Sequence, residues 1–198
     1  SDAAIIYLVI DKNSYNWTSI KDSNYDDKLL KFIISRNMSM DIDLEAHTST
    51  ITKDSILGYS VMTGKTIRID DVRKLDDASE YRYNNYFGLR TGYITKSVFT
   101  IPMKNHENNI IGVIQLINKK KNPDQKIDFK ESSCINSIIP YTYSDELIMT
   151  LLAGQAGVML ENILLYSDTQ HLLENLKRQN TALDTLIKRI QKAHEEER

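Results

Sequence analysis

Apolar and polar positions alternate most clearly in the middle of the chain. Two β-branched runs, residues 97–104 and 109–119, flank the polar stretch His106-Glu107-Asn108-Asn109 and predict a β-hairpin with a short loop. Pro102 lies inside the first run, and its missing N–H predicts a sheet edge or a bulge there. Residues 3–10 read as a buried strand, 11–14 as a turn, and 15–20 as a partner strand carrying Trp17. Within residues 26–36, Leu29, Leu30, Ile33 and Ile34 fall at helical spacing and predict a helix. A strand is expected over residues 48–52. Ser55 is placed to cap a short helix running through Met62 and ended by Gly64, and residues 66–69 form a further short strand. Residues 76–86, polar and rich in tyrosine, are expected to be partly helical. Residues 120–142 read as a long, poorly patterned loop of functional or mobile character.

The last third changes period. Leu165, Leu172, Gln179, Leu186 and Ala193 recur every seventh residue, and Leu176, Leu183 and Ile190 precede members of that set by three. This is an a/d heptad seam, with Gln179 its polar break, and it predicts one long helix that pairs with a second copy in parallel. Leu172, Leu176, Leu183, Leu186 and Ile190 are the expected dimerisation residues, giving a homodimer through the C-terminal helix. A single helix folding back on its own domain is the competing arrangement.

Composition narrows the functions open to such a chain. With 198 residues, 41% hydrophobic and 26% charged, it has room for one core and an appendage. The formal net charge is −2, and the densest basic run, Lys119-Lys120-Lys121, reads as a solvated loop, so no nucleic-acid partner is expected. A single cysteine, Cys134, rules out an internal disulfide and fits a reducing compartment. The early apolar run is too short to span a membrane and lacks a basic flank and a cleavage site, so a cytoplasmic location without membrane contact is expected. No Gly-rich phosphate loop, nucleophile elbow or paired-cysteine zinc motif occurs. His47, His106, His171 and His194 have no neighbour at ligand spacing, so neither a metal site nor a catalytic centre is expected.

Residues 64–72, residues 88–93, the hairpin, Asp145-Glu146 and the helical stretch 156–162 occur in an order that resembles the GAF domain, a small-molecule-sensing module. The resemblance covers about residues 3–162. It implies an α+β fold with a central antiparallel sheet flanked by helices, here followed by a long C-terminal coiled-coil helix. The division expected is a sensor domain over 1–162 and a signalling helix over 163–198 that leads to a missing output domain. The start of the chain likewise suggests that earlier helices or domains were cut away.

By that resemblance a ligand lies on one face of the sheet, beneath a lid of residues 69–72 and 83–93. The candidate lining is Ile69, Asp71, Tyr86, Phe87, Thr91, Tyr93, Thr95, Ser97, Phe99 and Gln115, which together offer aromatic faces and hydroxyl donors for a ring. The ligand is a cyclic nucleotide or another small molecule; its identity stays open, as does a filled core in place of a pocket. Members that bind cyclic nucleotides carry Asn-Lys followed by Phe-x-x-x-Asp-Glu. Asn118-Lys119 and Tyr141-x-x-x-Asp145-Glu146 match, with Tyr for Phe and a longer gap. The resemblance implies a Lys119–Asp145 salt bridge that steadies the pocket without touching the ligand. Cys134 lacks the following histidine of bilin-binding members, and a lone cysteine does not fit the sulfoxide reductases of this family.

Residues 186–198 resemble the opening of the dimerisation helix of one histidine-kinase family. The output expected is therefore a sensor histidine kinase of a bacterial two-component system. The alternatives are a phosphodiesterase or cyclase regulated by cyclic nucleotide, or a dimerisation module with no ligand.

Overall fold

The computed structural model describes residues 1–21, 24–40, 47–76 and 78–196; the side chains of Tyr86, Phe87, Ser132 and residues 191–196 lie outside this description. The described strands are β1 (Ala3–Asp11), β2 (Lys28–Asn37), β3 (Thr48–Thr50), β4 (Ile67–Ile69), β5 (Val98–Lys104) and β6 (Ile110–Ile117). They form one antiparallel sheet in the order β3-β2-β1-β6-β5-β4. The helices are α1 (Ile56–Thr63), α2 (Tyr86–Thr91) and α3 (Tyr143–Glu196). The chain divides into two units, Ser1–Val158 and Met159–Arg198.

The hairpin β5–β6 forms as its pattern requires, closed by a loop in which the Asn105 side-chain carbonyl accepts from the Glu107 and Asn109 amides. Pro102 lies beyond Thr100, the last residue of β5 paired with β4 on that side, and next to a bulge at Met103/Lys104, so no ladder bond is lost to its missing N–H. Ser55 caps α1 by accepting from Gly58 N, and Gly64 ends that helix in the left-handed region at φ 65°. These elements, with β1, β3 and β4, form where the sequence pattern puts them.

Three expectations are corrected. Residues 28–37 are strand β2, not a helix. At Ile6/Tyr7 the register shifts so that Phe32 faces Tyr7 and Ile34 faces Ile6, leaving Ile33 as an extra, unpaired residue. That bulge breaks the strict alternation of a strand and leaves apolar spacing that imitates a helix. Residues 15–20 are not a strand; they touch the sheet only at the single bridges Ile10↔Trp17 and Ile20↔Ile110. Among the described residues of 76–85 there is no helix, because α2 begins at Tyr86.

The segment 120–142 is more ordered than a polar loop. It holds a 3₁₀ turn at Ser132–Ser137 and its own apolar cluster of Ile127, Cys134 and Ile138. Lys120 corrects the solvated-loop reading of the basic triplet, since it is 5% exposed and faces the buried Asp2. One sheet face packs on α1 through Val61, Tyr59 and Ile56, against Tyr7, Val9, Val113 and Val98. On the other face Phe99, Ile101 and Met103 are fully buried, and Tyr141 stacks on Phe99 at 5.2 Å.

Candidate functional site

A cavity of about 210 Å³ opens on the α1 side of the sheet. Its floor follows from strand register. Gln115 of β6 and Ser35 of β2 both stand opposite Ile5 of β1, and Ile117 and Asn37 both stand opposite Ala3. These positions share a face because side chains alternate with period two, and Ala3 at the centre leaves the floor low. Tyr7, Val98, Ile56, His47, Tyr83, Asn84, Tyr93 and Thr95 complete the walls. His47 stacks on Phe32 at 5.5 Å, and Tyr7 meets both rings edge-on. Burial pushes the Tyr7 hydroxyl up to about 12, so it is a donor at neutral pH.

Of the residues read from the sequence, Tyr93, Thr95 and Gln115 line this cavity. Phe99 does not: it pairs with Leu116, one residue out of phase with Val98 and Thr100, and therefore lies on the opposite face. Ser97 is fully buried, and its hydroxyl accepts from Lys119 N at 3.0 Å. Ile69 packs with Ile56, Tyr59 and Val72. Asp71 caps the 3₁₀ turn Val72–Lys74 and pairs with Arg73, whose side-chain bonds hold its carboxyl below the usual range. Ile69 and Asp71 border a separate open cleft with Arg68, Lys74 and Lys96. Thr91 accepts from Tyr93 N rather than facing the cavity. The Tyr86 and Phe87 side chains lie outside the described residues. Reading residues 26–36 as a helix hid Ser35, Asn37 lay just beyond that helix in a stretch without a clear pattern, and Ala3, Ile5 and Tyr7 read as a plain buried strand.

Tyr93 belongs to a second arrangement as well. Its hydroxyl donates to Asp2 at 2.9 Å and accepts from Asn118 Nδ2 at 3.2 Å. Burial, with Asp2 beside it, raises the Tyr93 hydroxyl far above its ordinary range. Asp2 also receives Ser39 Oγ and lies 3.5 Å from Lys120 Nζ, both charged side chains being almost wholly buried. Asn118, buried and left-handed at φ 55°, accepts from Lys96 N at 2.8 Å and donates to Ile94 O at 2.7 Å. It thereby fixes the strand end where Lys119 reaches Asp145. Asp145 accepts from Thr142 N at 2.6 Å while Thr142 Oγ1 accepts from Asp145 N at 3.2 Å, a reciprocal cap on the first turn of α3. Partial burial works to raise the Asp145 carboxyl, but the Lys119 and Thr142 bonds outweigh it and hold the group below its ordinary value. Glu146 pairs with Arg68 of β4 at 3.1 Å. The first turn of α3 is thus tied to the ends of β6 and β4.

No family model matches the chain. It is 26% identical over 145 residues, 68% of its length, to the dual 3',5'-cyclic-AMP and -GMP phosphodiesterase 11A of Takifugu rubripes. The chain spans only 14% of that relative. Among solved structures, a methyl-accepting chemotaxis protein (residues 122 to 287) superposes with TM-score 0.53 at 13% identity, covering 83% of this chain and 80% of the other. The GAF domain of a two-component sensor histidine kinase from Bacillus halodurans gives TM-score 0.48 at 17% identity, covering 84% and 85%. A six-stranded antiparallel sheet with flanking helices and a long C-terminal helix is the GAF-like α+β arrangement that the sequence motifs imply.

Proposed function

We propose that this chain is the sensory, regulatory part of a larger signalling protein. A small molecule fills the cavity over Ala3 and Ile5, and its presence changes how firmly the first turn of α3 is held. The observation that carries this reading is the double membership of Tyr93, which walls the cavity and bonds to the buried network leading to Asn118. Asn118 and Lys119 are consecutive, so the wall of the cavity and the cap of α3 share one strand end. The response then passes along α3, paired with a second copy through the heptad seam, to an output domain in the cytoplasm. The run over residues 186–198 favours a histidine kinase as that output. The Takifugu relative favours a second reading, a cyclic-nucleotide phosphodiesterase output.

The direct test is native mass spectrometry of freshly purified protein, repeated after denaturation. A dimer carrying extra mass that is released on denaturation is the expected result. A dimer without added mass, and without response to small molecules, would leave a dimerisation module and overturn the sensing role.

A further inference from the structure

The cavity is polar without being charged. On its floor and walls four groups have no hydrogen-bond partner among the described residues. The Tyr7 and Ser35 hydroxyls are unmatched. Asn37 Nδ2 is too, because only that side chain's Oδ1 is used, accepting from Ser39 N and Met40 N. Gln115 spends Nε2 on Thr100 Oγ1 at 3.2 Å, which leaves Oε1 as an open acceptor. Among the described lining residues Arg36 is the one Lys or Arg. It stands opposite Ala4, out of phase with Ala3 and Ile5, so strand alternation directs its side chain away from the face that carries Ser35 and Asn37. A buried anion without a cation is strongly disfavoured, whereas unmatched neutral donors and acceptors reward a ligand with matching edges.

We infer that the cavity takes an uncharged planar heterocycle with amide-type edges, a bicyclic lactam of the purine kind, rather than a cyclic nucleotide. This rests on the sensing role proposed above and names its ligand class. Gln115 and Ser35 flank Ile5 from the two neighbouring strands, so their backbones are about 9.5 Å apart, two strand spacings, enough for a fused ring to lie between their side chains. Tyr7, Tyr83 and Tyr93 supply aromatic surface around it. The volume of about 210 Å³ is below the usual range for drug-sized ligands, which favours a bare ring system over one bearing sugar and phosphate.

Isothermal titration with hypoxanthine and with cGMP, both at neutral pH, tests the inference. Hypoxanthine is expected to bind at least about tenfold more tightly than cGMP, and Gln115→Leu or Ser35→Ala to weaken it by about tenfold, the effect of one neutral hydrogen bond. Thermal melting of both variants confirms that each remains folded. Equal or tighter binding of cGMP, or hypoxanthine affinity unchanged in both variants, overturns the ligand class. If neither probe binds yet native spectra release another small molecule on denaturation, the class fails and the sensing role stands. If neither binds and no mass is released, both fail.

Discussion

Asp2 is the residue on which most buried polar chemistry converges. It receives the Tyr93 and Ser39 hydroxyls and faces Lys120, in surroundings that exclude water. Removing one member of a buried pair strands the other charge, so Lys120→Met is expected to destabilise the protein by about 3–5 kcal/mol in urea titration. Lys121→Met, at an exposed neighbour, is expected to change stability by less than about 0.5 kcal/mol. Three carboxylates are held below their ordinary values. The Ser14 and Asn13 amides lower Asp11 from 3.8 to about 2, and Asp71 and Asp145 are lowered by the bonds described above. A depressed folded-state pKa contributes stability that is complete above the unfolded value and is lost as pH falls through the folded one. Urea midpoints are therefore expected to hold steady near pH 6 and to fall as pH drops from about 4 toward 2. A midpoint that rose across that window would contradict the assignment.

At the scale of elements, α3 approaches the β5–β6 hairpin closely. A Cβ built on Gly157 would lie 2.2 Å from the backbone oxygen of Lys104, so only glycine lets the helix sit there. Gly157→Ala is expected to cost about 1–3 kcal/mol by forcing helix and hairpin apart, measured as a lower urea midpoint. Gly154→Ala, where a Cβ meets nothing within 4 Å, serves as the matched control and should be neutral or mildly stabilising. Elements with a self-contained signal were legible in the sequence. The Ser55 and Gly64 caps, the polar hairpin turn and the seven-residue repeat each specify local geometry without reference to the rest of the chain. β2 was not legible, because its bulge at Ile33 depends on a partner strand 25 or so residues away, and local spacing alone favoured a helix. The error passed directly to the site, since Ser35 and Asn37 line the cavity only if β2 is a strand beside β1. Phe99 was misplaced for a related reason: which face a strand residue takes depends on register, and composition does not carry register.

For the whole molecule, the apolar positions of α3 set how the chain assembles. Leu172, Leu176, Leu183, Leu186 and Ile190 are all exposed in the single chain. The stretch Tyr143–Ile190 also contains a window apolar enough by length and composition to cross a membrane, although Ala153 and Gly157 within it are buried in the first unit. A second copy paired in register would cover the heptad seam. Leu183→Asp places a charge in that seam and is expected to weaken the dimer more than about tenfold in sedimentation velocity at micromolar concentration. Because Leu183 is exposed in the monomer, the far-ultraviolet circular dichroism of the first unit should survive, and an unchanged sedimentation profile would refute the pairing. Finally, the lone thiol of Cys134 offers a clock. It is enclosed by Ile127 and Ile138 in the segment that also carries Phe129, whose ring lies 4.5 Å from Tyr93 on the cavity wall. A thiol reagent reaches such a sulfur only during transient opening, so its rate of modification counts those openings. An occupant that braces Tyr93 should slow the clock, reporting occupancy from a position that the occupant never touches.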